Sequence, residues 1–168
     1  MKTSYEVRAE NFLHQIYDYI ATCDSLHQFE KAVRHFNYDH KRHVIFAHGL
    51  TRVCFITSDY VVKYDFGTYR NIHEFGSCED EVRLYALAEK EGYAYLLAKP
   101  TLVEYMGHTF CIMPRIPGIG KYRYNVDEYL TEEECDWVLD NIYDVHCENY
   151  GWKEGRPVII DYACNARS

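Results

Sequence analysis

The sequence predicts an α+β fold, in which helices and an antiparallel sheet are segregated along the chain rather than strictly alternating. Three observations predict it. The apolar period is helical through the first third, where Leu13, Ile16, Tyr17 and Ile20 share one face and Leu26, Phe29, Val33 and Phe36 share another. It then changes to short β-branched and aromatic runs separated by turn residues, the pattern of a meander. Only one helical stretch interrupts the strands before a Pro- and Gly-containing breaker at Pro114–Gly118.

The elements follow in order. Asp24 or Ser25 caps the second helix. Residues 43–46, 52–57 and 60–65 form three antiparallel strands with turns at Ala47-His48-Gly49 and Ser58-Asp59. Ser77 caps a helix over about 78–91 that stops at Gly92. Strands at 102–105 and 109–113 precede the breaker. Thr131 to Glu134 is a capping box, opening a helix whose Cys135, Val138, Leu139 and Ile142 share a face. A loop with Gly151 and Gly155 leads into Pro157-Val158-Ile159-Ile160-Asp161, a buried strand ending in a carboxylate.

Composition narrows the function classes. The chain has 168 residues and is 48% apolar, enough for one domain or a small lobe packed on another. Its 26 Asp and Glu outweigh 18 Lys and Arg, giving a net charge of −8, which argues against a general nucleic-acid binder. No apolar run approaches a membrane span, and the first twelve residues lack the apolar stretch of a secretory signal. The seven cysteines are dispersed and contain no CxxC, so they read as reduced thiols of a cytoplasmic protein. Charge is unevenly placed. Residues 34–52 are locally basic, whereas no Lys or Arg lies between Arg123 and Lys153, a stretch with nine carboxylates. Each run also reads simply as a solvated face.

The most informative segment joins Asp144, His146 and Asn149 to Asp161. Loop-borne Asp, Asn and Asp oxygens suit a hard cation such as Mg²⁺, which takes one or two carboxylates and completes its shell with phosphate and water. A further carboxylate beside it can orient a hydroxyl nucleophile. An Asp-Asn turn followed by a strand-end Asp reads equally as ordinary structure. Upstream, Val61-Val62-Lys63 places an ammonium on the third strand. Glu81 shares a helical face with Leu84, Tyr85 and Ala88, where it either pairs with a cation such as Lys63 or sits solvated at the rim of the stripe.

These residues, in this order, resemble the protein-kinase-like superfamily, especially its small bacterial, phage-type and aminoglycoside-phosphotransferase-like branches. The resemblance spans about residues 43–165. Gly49-Leu50-Thr51-Arg52-Val53 stands where the nucleotide-covering hairpin would be, Val61-Val62-Lys63 resembles the phosphate-binding strand, and Glu81 resembles the helix partner of that lysine. Phe110–Arg115 looks like the strand and hinge that meet adenine. Asp144-x-His146-x-x-Asn149 matches the catalytic loop of the phosphotransferase branch, and Asp161-Tyr162-Ala163 stands for the metal-binding Asp-Phe-Gly.

The resemblance implies an N-terminal helical extension (1–42), a kinase-like antiparallel-sheet N-lobe (43–114) and a minimal, truncated helical C-lobe (115–168). It implies ATP and Mg²⁺ as cofactors. Gly49, Thr51, Arg52, Lys63 and Glu81 would serve the phosphates, with main-chain groups of Met113 to Arg115 at adenine. Asn149 and Asp161 would hold the metal, Asp144 would orient the acceptor hydroxyl, and His146 would sit near the transferring phosphoryl group. The activity implied is phosphorylation of Ser, Thr or Tyr hydroxyls of a protein, with autophosphorylation among the chain's own hydroxyls.

This sequence departs from the family pattern at several positions. The hairpin has one glycine, Ile142 stands two before Asp144 where His is usual, Ala163 replaces a glycine, and seven residues follow Asp161. Those departures keep open a pseudokinase-like module that binds nucleotide or a partner without catalysis, and a small-molecule kinase as a variant of the first reading. The partners expected are a protein substrate or regulatory protein, with a homodimer as a further arrangement through an apolar surface left by the short lobe. Zinc at His146, Cys147 and Cys164 is a weaker alternative, because adjacent residues rarely ligate one ion, and so is a Cys–His nucleophile, because a Cys beside a His in sequence points elsewhere in space.

Overall fold

The structure, a computed structural model, describes residues 1–49, 52–66, 77–122, 124–143 and 145–162. The fold is α+β, and the chain divides into two compact units: Met1–Ile72 with Thr101–Arg115, and His73–Pro100 with Ile116–Ser168. Among the described residues no helix is long and apolar enough to cross a membrane.

In the first unit, α1 (Ser4–Ile20) begins at a capping box between Thr3 and Glu6 and buries Ala9, Phe12, Leu13, Ile16 and Ile20, the three-to-four spacing of one helical face. Ser25, rather than Asp24, caps α2 (Leu26–His40), which buries Phe29, Ala32, Val33 and Phe36. Lys41 ends α2 in the left-handed conformation. Asn37 then fixes the exit by exchanging two side-chain hydrogen bonds with the Val44 main chain, at 2.8 and 2.9 Å.

Five strands follow: β1 (Ile45–His48), β2 (Arg52–Ile56), β3 (Tyr60–Asp65), β4 (Thr101–Tyr105) and β5 (His108–Pro114). They form one antiparallel sheet in the order β1-β2-β3-β5-β4. Alternation assigns its faces. Val53, Phe55, Tyr60, Val62, Tyr64, Phe110 and Ile112 join the apolar residues of α1 and α2 in one core, so both N-terminal helices cover the same face of the sheet.

The second unit contains α3 (Cys78–Glu91), α4 (Glu132–Asn141) and a two-stranded hairpin, β6 (Tyr150–Lys153) with β7 (Arg156–Ile159). Ser77 caps α3, and Gly92 ends it at φ +85°, where glycine avoids the cost that a Cβ would bring. The chain passes Leu97, which bridges in parallel to Ile159, and the Ala98 N–H donates to the Ile159 carbonyl at 2.9 Å.

Two expectations are corrected here. Residues 150–153, expected as loop, form a strand, because Gly151 lies flat against the preceding breaker: a Cβ there would meet Ile116 Cγ2 at 2.6 Å and the Pro117 carbonyl oxygen at 2.9 Å. The Trp152 N–H completes the contact by donating to that same oxygen at 2.7 Å. On α4, Leu139 does not join the buried face and is 67% exposed, while Glu134 and Trp137 are buried with Val138. Trp137 selects this rotation by stacking on Tyr93, with ring centroids 5.2 Å apart, and by donating its indole N–H to Glu91 at 2.7 Å.

Candidate functional site

The first unit carries its candidate residues on the sheet face opposite α1 and α2. In register, Cys54 lies across from Lys63 and Lys63 from Cys111, Arg52 lies across from Asp65, and Val61 from Met113. Arg52, Lys63 and Met113 therefore share the face that the helical core does not use. All three are buried, and burial of Lys63 to 4% exposure is notable because an ammonium loses strong hydration there. The Gly49 N–H donates to the Arg52 carbonyl at 2.9 Å and closes the β1–β2 turn. Thr51 lies outside the described residues.

At the other end of β2, Arg115 is tied to the β2–β3 turn. Its main-chain N–H donates to the Asp59 carbonyl at 3.0 Å, and its Nη1 donates to the Thr57 carbonyl at 2.7 Å. Pro114 has no N–H. Met113 is paired with Val61 in the β3–β5 ladder, so none of the three main-chain donors expected at adenine stands open, and the Pro114 carbonyl, on the side away from β3, is what the segment offers.

In the second unit, Glu81 is fully buried on α3 with Leu84 and Ala88, which removes the solvated-rim reading. The residues expected to hold a metal are brought together. Asn149 ends a short 3₁₀ turn at Cys147–Asn149, and its Nδ2 donates to the Asp161 main-chain oxygen at 3.1 Å. Asn149 Oδ1 accepts the His146 N–H at 3.2 Å, and the Asn149 N–H returns to the His146 carbonyl at 2.9 Å. The Ile160 N–H donates to the Asn149 carbonyl at 2.7 Å. One residue beyond Asp161, the buried Tyr162 hydroxyl donates to the Ala98 carbonyl at 2.6 Å. Asp161, itself exposed, is therefore bracketed by two fixed neighbours. Asp144, Ala163 and Cys164 lie outside the described residues.

The chemistry of this corner fits a hard cation that keeps water and phosphate in its shell. Asp161 supplies an exposed carboxylate, and the Asn149 amide oxygen has a second lone pair beyond the one engaged by His146. Among the described residues no group of three or more His, Cys, Asp and Glu is arranged to enclose a metal.

Beside it opens a cavity of about 450 Å³, whose lining includes Val126, Val138, Leu139, His146, Cys147 and Tyr150. Burial pushes the Tyr150 phenol well above its ordinary range, with Asp127 and Cys135 adding to the shift, so the ring remains neutral. The wall of the unit is fixed by Glu134, whose Oε1 accepts from Arg156 at 2.7 Å and from Tyr95 at 2.8 Å. Sequence reasoning missed Tyr162, Tyr95 and Arg156 as supports. The Asp-Phe-Gly-like position of Tyr162 was the one available signal.

No protein-family model and no curated protein matches the sequence. Among solved structures, the chain matches one described as "Co-crystal structure of WbdD and kinase inhibitor LY294002", at 15% identity and a TM-score of 0.34, over 71% of this chain and 32% of that one. This chain spans about a third of that protein's length.

Proposed function

We propose that the chain is an ATP- and Mg²⁺-dependent phosphotransferase acting on Ser, Thr or Tyr hydroxyls of a protein. The observation that carries this reading is the hydrogen bond from Asn149 to the Asp161 main chain, which joins the two Mg²⁺-binding positions of the Asp-x-His-x-x-Asn…Asp pattern. The shared sheet face of Arg52, Lys63 and Met113 supports it.

Lys63 contacts the α- and β-phosphates, where its buried ammonium meets their opposite charge. Gly49, Thr51 and Arg52 serve the phosphates, and the main chain of Met113 to Arg115 meets the base. Asp161 and Asn149 would hold Mg²⁺, which would supply charge neutralisation at the phosphates. Asp144 accepts the acceptor's hydroxyl proton as that oxygen bonds to the γ-phosphorus and the bond from phosphorus to the departing ADP oxygen breaks. His146 sits near the transferring group. The protein's contribution is positioning and fixed charge rather than covalent chemistry.

A second reading, a module that binds nucleotide or a partner without transfer, is favoured by one observation: the Arg115 N–H is spent on Asp59, thinning the donors for a base. Incubation with Mg²⁺ and γ-labelled ATP, with and without cell extract, separates the two. Label on the chain or on an extract protein, lost in Lys63→Ala and Asp161→Asn, is the expected result. Transfer that survives both substitutions rejects this site. Absence of transfer with a retained Mg-ATP thermal shift selects the second reading.

A further inference from the structure

We propose that a cleft in the first unit, distinct from the nucleotide residues, binds the phosphoryl group of a small phosphorylated molecule between Arg42 and Arg8. The cleft has a volume of about 620 Å³, within the range of small-molecule sites. Its walls include Arg8, Asn11 and Gln15 on α1, Arg42 just beyond α2, and Ser58 and Asp59 in the β2–β3 turn. This turn lies at the opposite end of β2 from the β1–β2 hairpin turn. Phe12 and Tyr60, both nearly fully buried, close its base.

Charge identifies the ligand class. Two guanidiniums face one carboxylate, a local positive excess in a chain of net charge −8. Arg8 donates through Nε at 3.0 Å and also through Nη2 to Asp59 Oδ2, which orients its planar head. The Arg42 guanidinium forms no ion pair among the described residues, so its donor fork remains for an incoming anion. Both guanidiniums act on the Tyr60 phenol, which burial raises and Arg42 and Arg8 lower, placing their fields at the same point. A phosphoryl group has three oxygens to meet the Arg42 fork and the Arg8 donors that Asp59 does not use, and the amides of Asn11 and Gln15 and the Ser58 hydroxyl add neutral donors.

The walls are also fixed before any ligand arrives. The Arg42 N–H donates to the Asn37 carbonyl at 3.0 Å across the left-handed Lys41, which anchors the base of the arginine on the α2 terminus. The β2–β3 turn is locked by Thr57, whose hydroxyl donates to the Tyr60 carbonyl at 2.8 Å and accepts the Tyr60 N–H at 3.2 Å. Arg115 fastens the same turn through Thr57 and Asp59. A polar cleft with rigid walls loses little conformational freedom on binding, which favours affinity for a small ligand. The basic run around residue 42 thus acquires a role separate from the nucleotide hairpin.

The test is a two-dimensional amide NMR titration of the full chain with inorganic phosphate, β-glycerophosphate and acetate, each at constant ionic strength against chloride. Saturable shifts with both phosphates are expected at the Asn11 and Gln15 side-chain amides and at the Ser58 and Asp59 main chain. Arg42→Ala is expected to weaken them about tenfold or more, because a charge-assisted pair is lost, while peaks elsewhere stay in place because Arg42 is exposed. Arg42→Lys recovers only part of the affinity, since it keeps charge without the planar fork. Absence of saturable shifts, or shifts unchanged in Arg42→Ala, overturns the site. Acetate binding as tightly as phosphate overturns the phosphoryl assignment, and phosphate binding without β-glycerophosphate overturns the organic ester.

Discussion

Asn149 donates from Nδ2 to the main-chain oxygen of Asp161, twelve residues later, at 3.1 Å, while its own Oδ1 accepts the His146 N–H. One amide thus reads both ends of the short 3₁₀ turn and the exit of β7. Asn149→Asp removes the donor and sets a carboxylate against a carbonyl oxygen. The expected cost is about 1–3 kcal/mol in denaturant unfolding, with loss of the Mg-ATP thermal shift. Asn149→Ser, which keeps a donor but shortens the reach, should recover part of the stability. Unchanged stability in Asn149→Asp would show that this bond does not hold the corner.

Tyr162 holds the same exit from the other side. Its hydroxyl donates to the Ala98 carbonyl at 2.6 Å, and the residue is 1% exposed. Tyr162→Phe keeps the ring and leaves a buried carbonyl short of its donor. A loss of about 1–2 kcal/mol is expected, together with faster amide hydrogen exchange at Ile160, whose N–H bonds Asn149. If exchange at Ile160 is unaltered, Tyr162 is a packing residue and does not position Asp161.

The parts of the fold written in local signals were readable from sequence. The Ser77 cap and Gly92 stop bound α3 at residues 78–91, and Thr131 with Glu134 opens α4, because caps act within one turn. β6 was not readable: Tyr150–Lys153 is four residues long and its flat Gly151 is explained only by Ile116 and Pro117, more than thirty residues earlier. The stripe on α4 had two rotations close in period, and the distant Tyr93 and Glu91 chose the one that buries Trp137. The approach of Asn149 to Asp161 was legible from their spacing around one short strand. The engagement of the Arg115 N–H was not, since it depends on the remote β2–β3 turn.

Glu134 provides a pH signature. Burial alone would raise its carboxyl, but the Thr131 N–H, Arg156 and Tyr95 outweigh that and hold it below the usual carboxylate range. A carboxyl lowered on folding contributes stability that is complete above the unfolded value of about 4.3 and is lost as pH falls through the lower folded value. Glu134→Gln should therefore be less stable than the wild type at neutral pH by about 1.5–3 kcal/mol, the range for hydrogen bonds to a charged group. The difference should close in acid, where protonated Glu134 resembles Gln. Denaturant unfolding across pH measures it, and a gap that stays constant into acid would mean that Glu134 does not carry the titration.

Gly151 is the position where one methyl group should cost most. The added Cβ would lie 2.6 Å from Ile116 Cγ2, a side-chain atom, and 2.9 Å from the Pro117 carbonyl oxygen, a main-chain atom that the Trp152 N–H also holds. Ile116 can rotate only within a packed interior, and the Pro117 carbonyl cannot retreat without lengthening its bond to Trp152. Gly151→Ala is expected to destabilise the chain by about 1–3 kcal/mol, as overpacking does. Gly155→Ala separates this steric effect from backbone strain: Gly155 has φ +81° with open space around its would-be Cβ, so its cost is conformational alone, about 1 kcal/mol. Paired unfolding curves should rank Gly151→Ala as the more damaging, and the reverse order would place the strain of the β6–β7 hairpin in its turn instead of in its contact with the breaker.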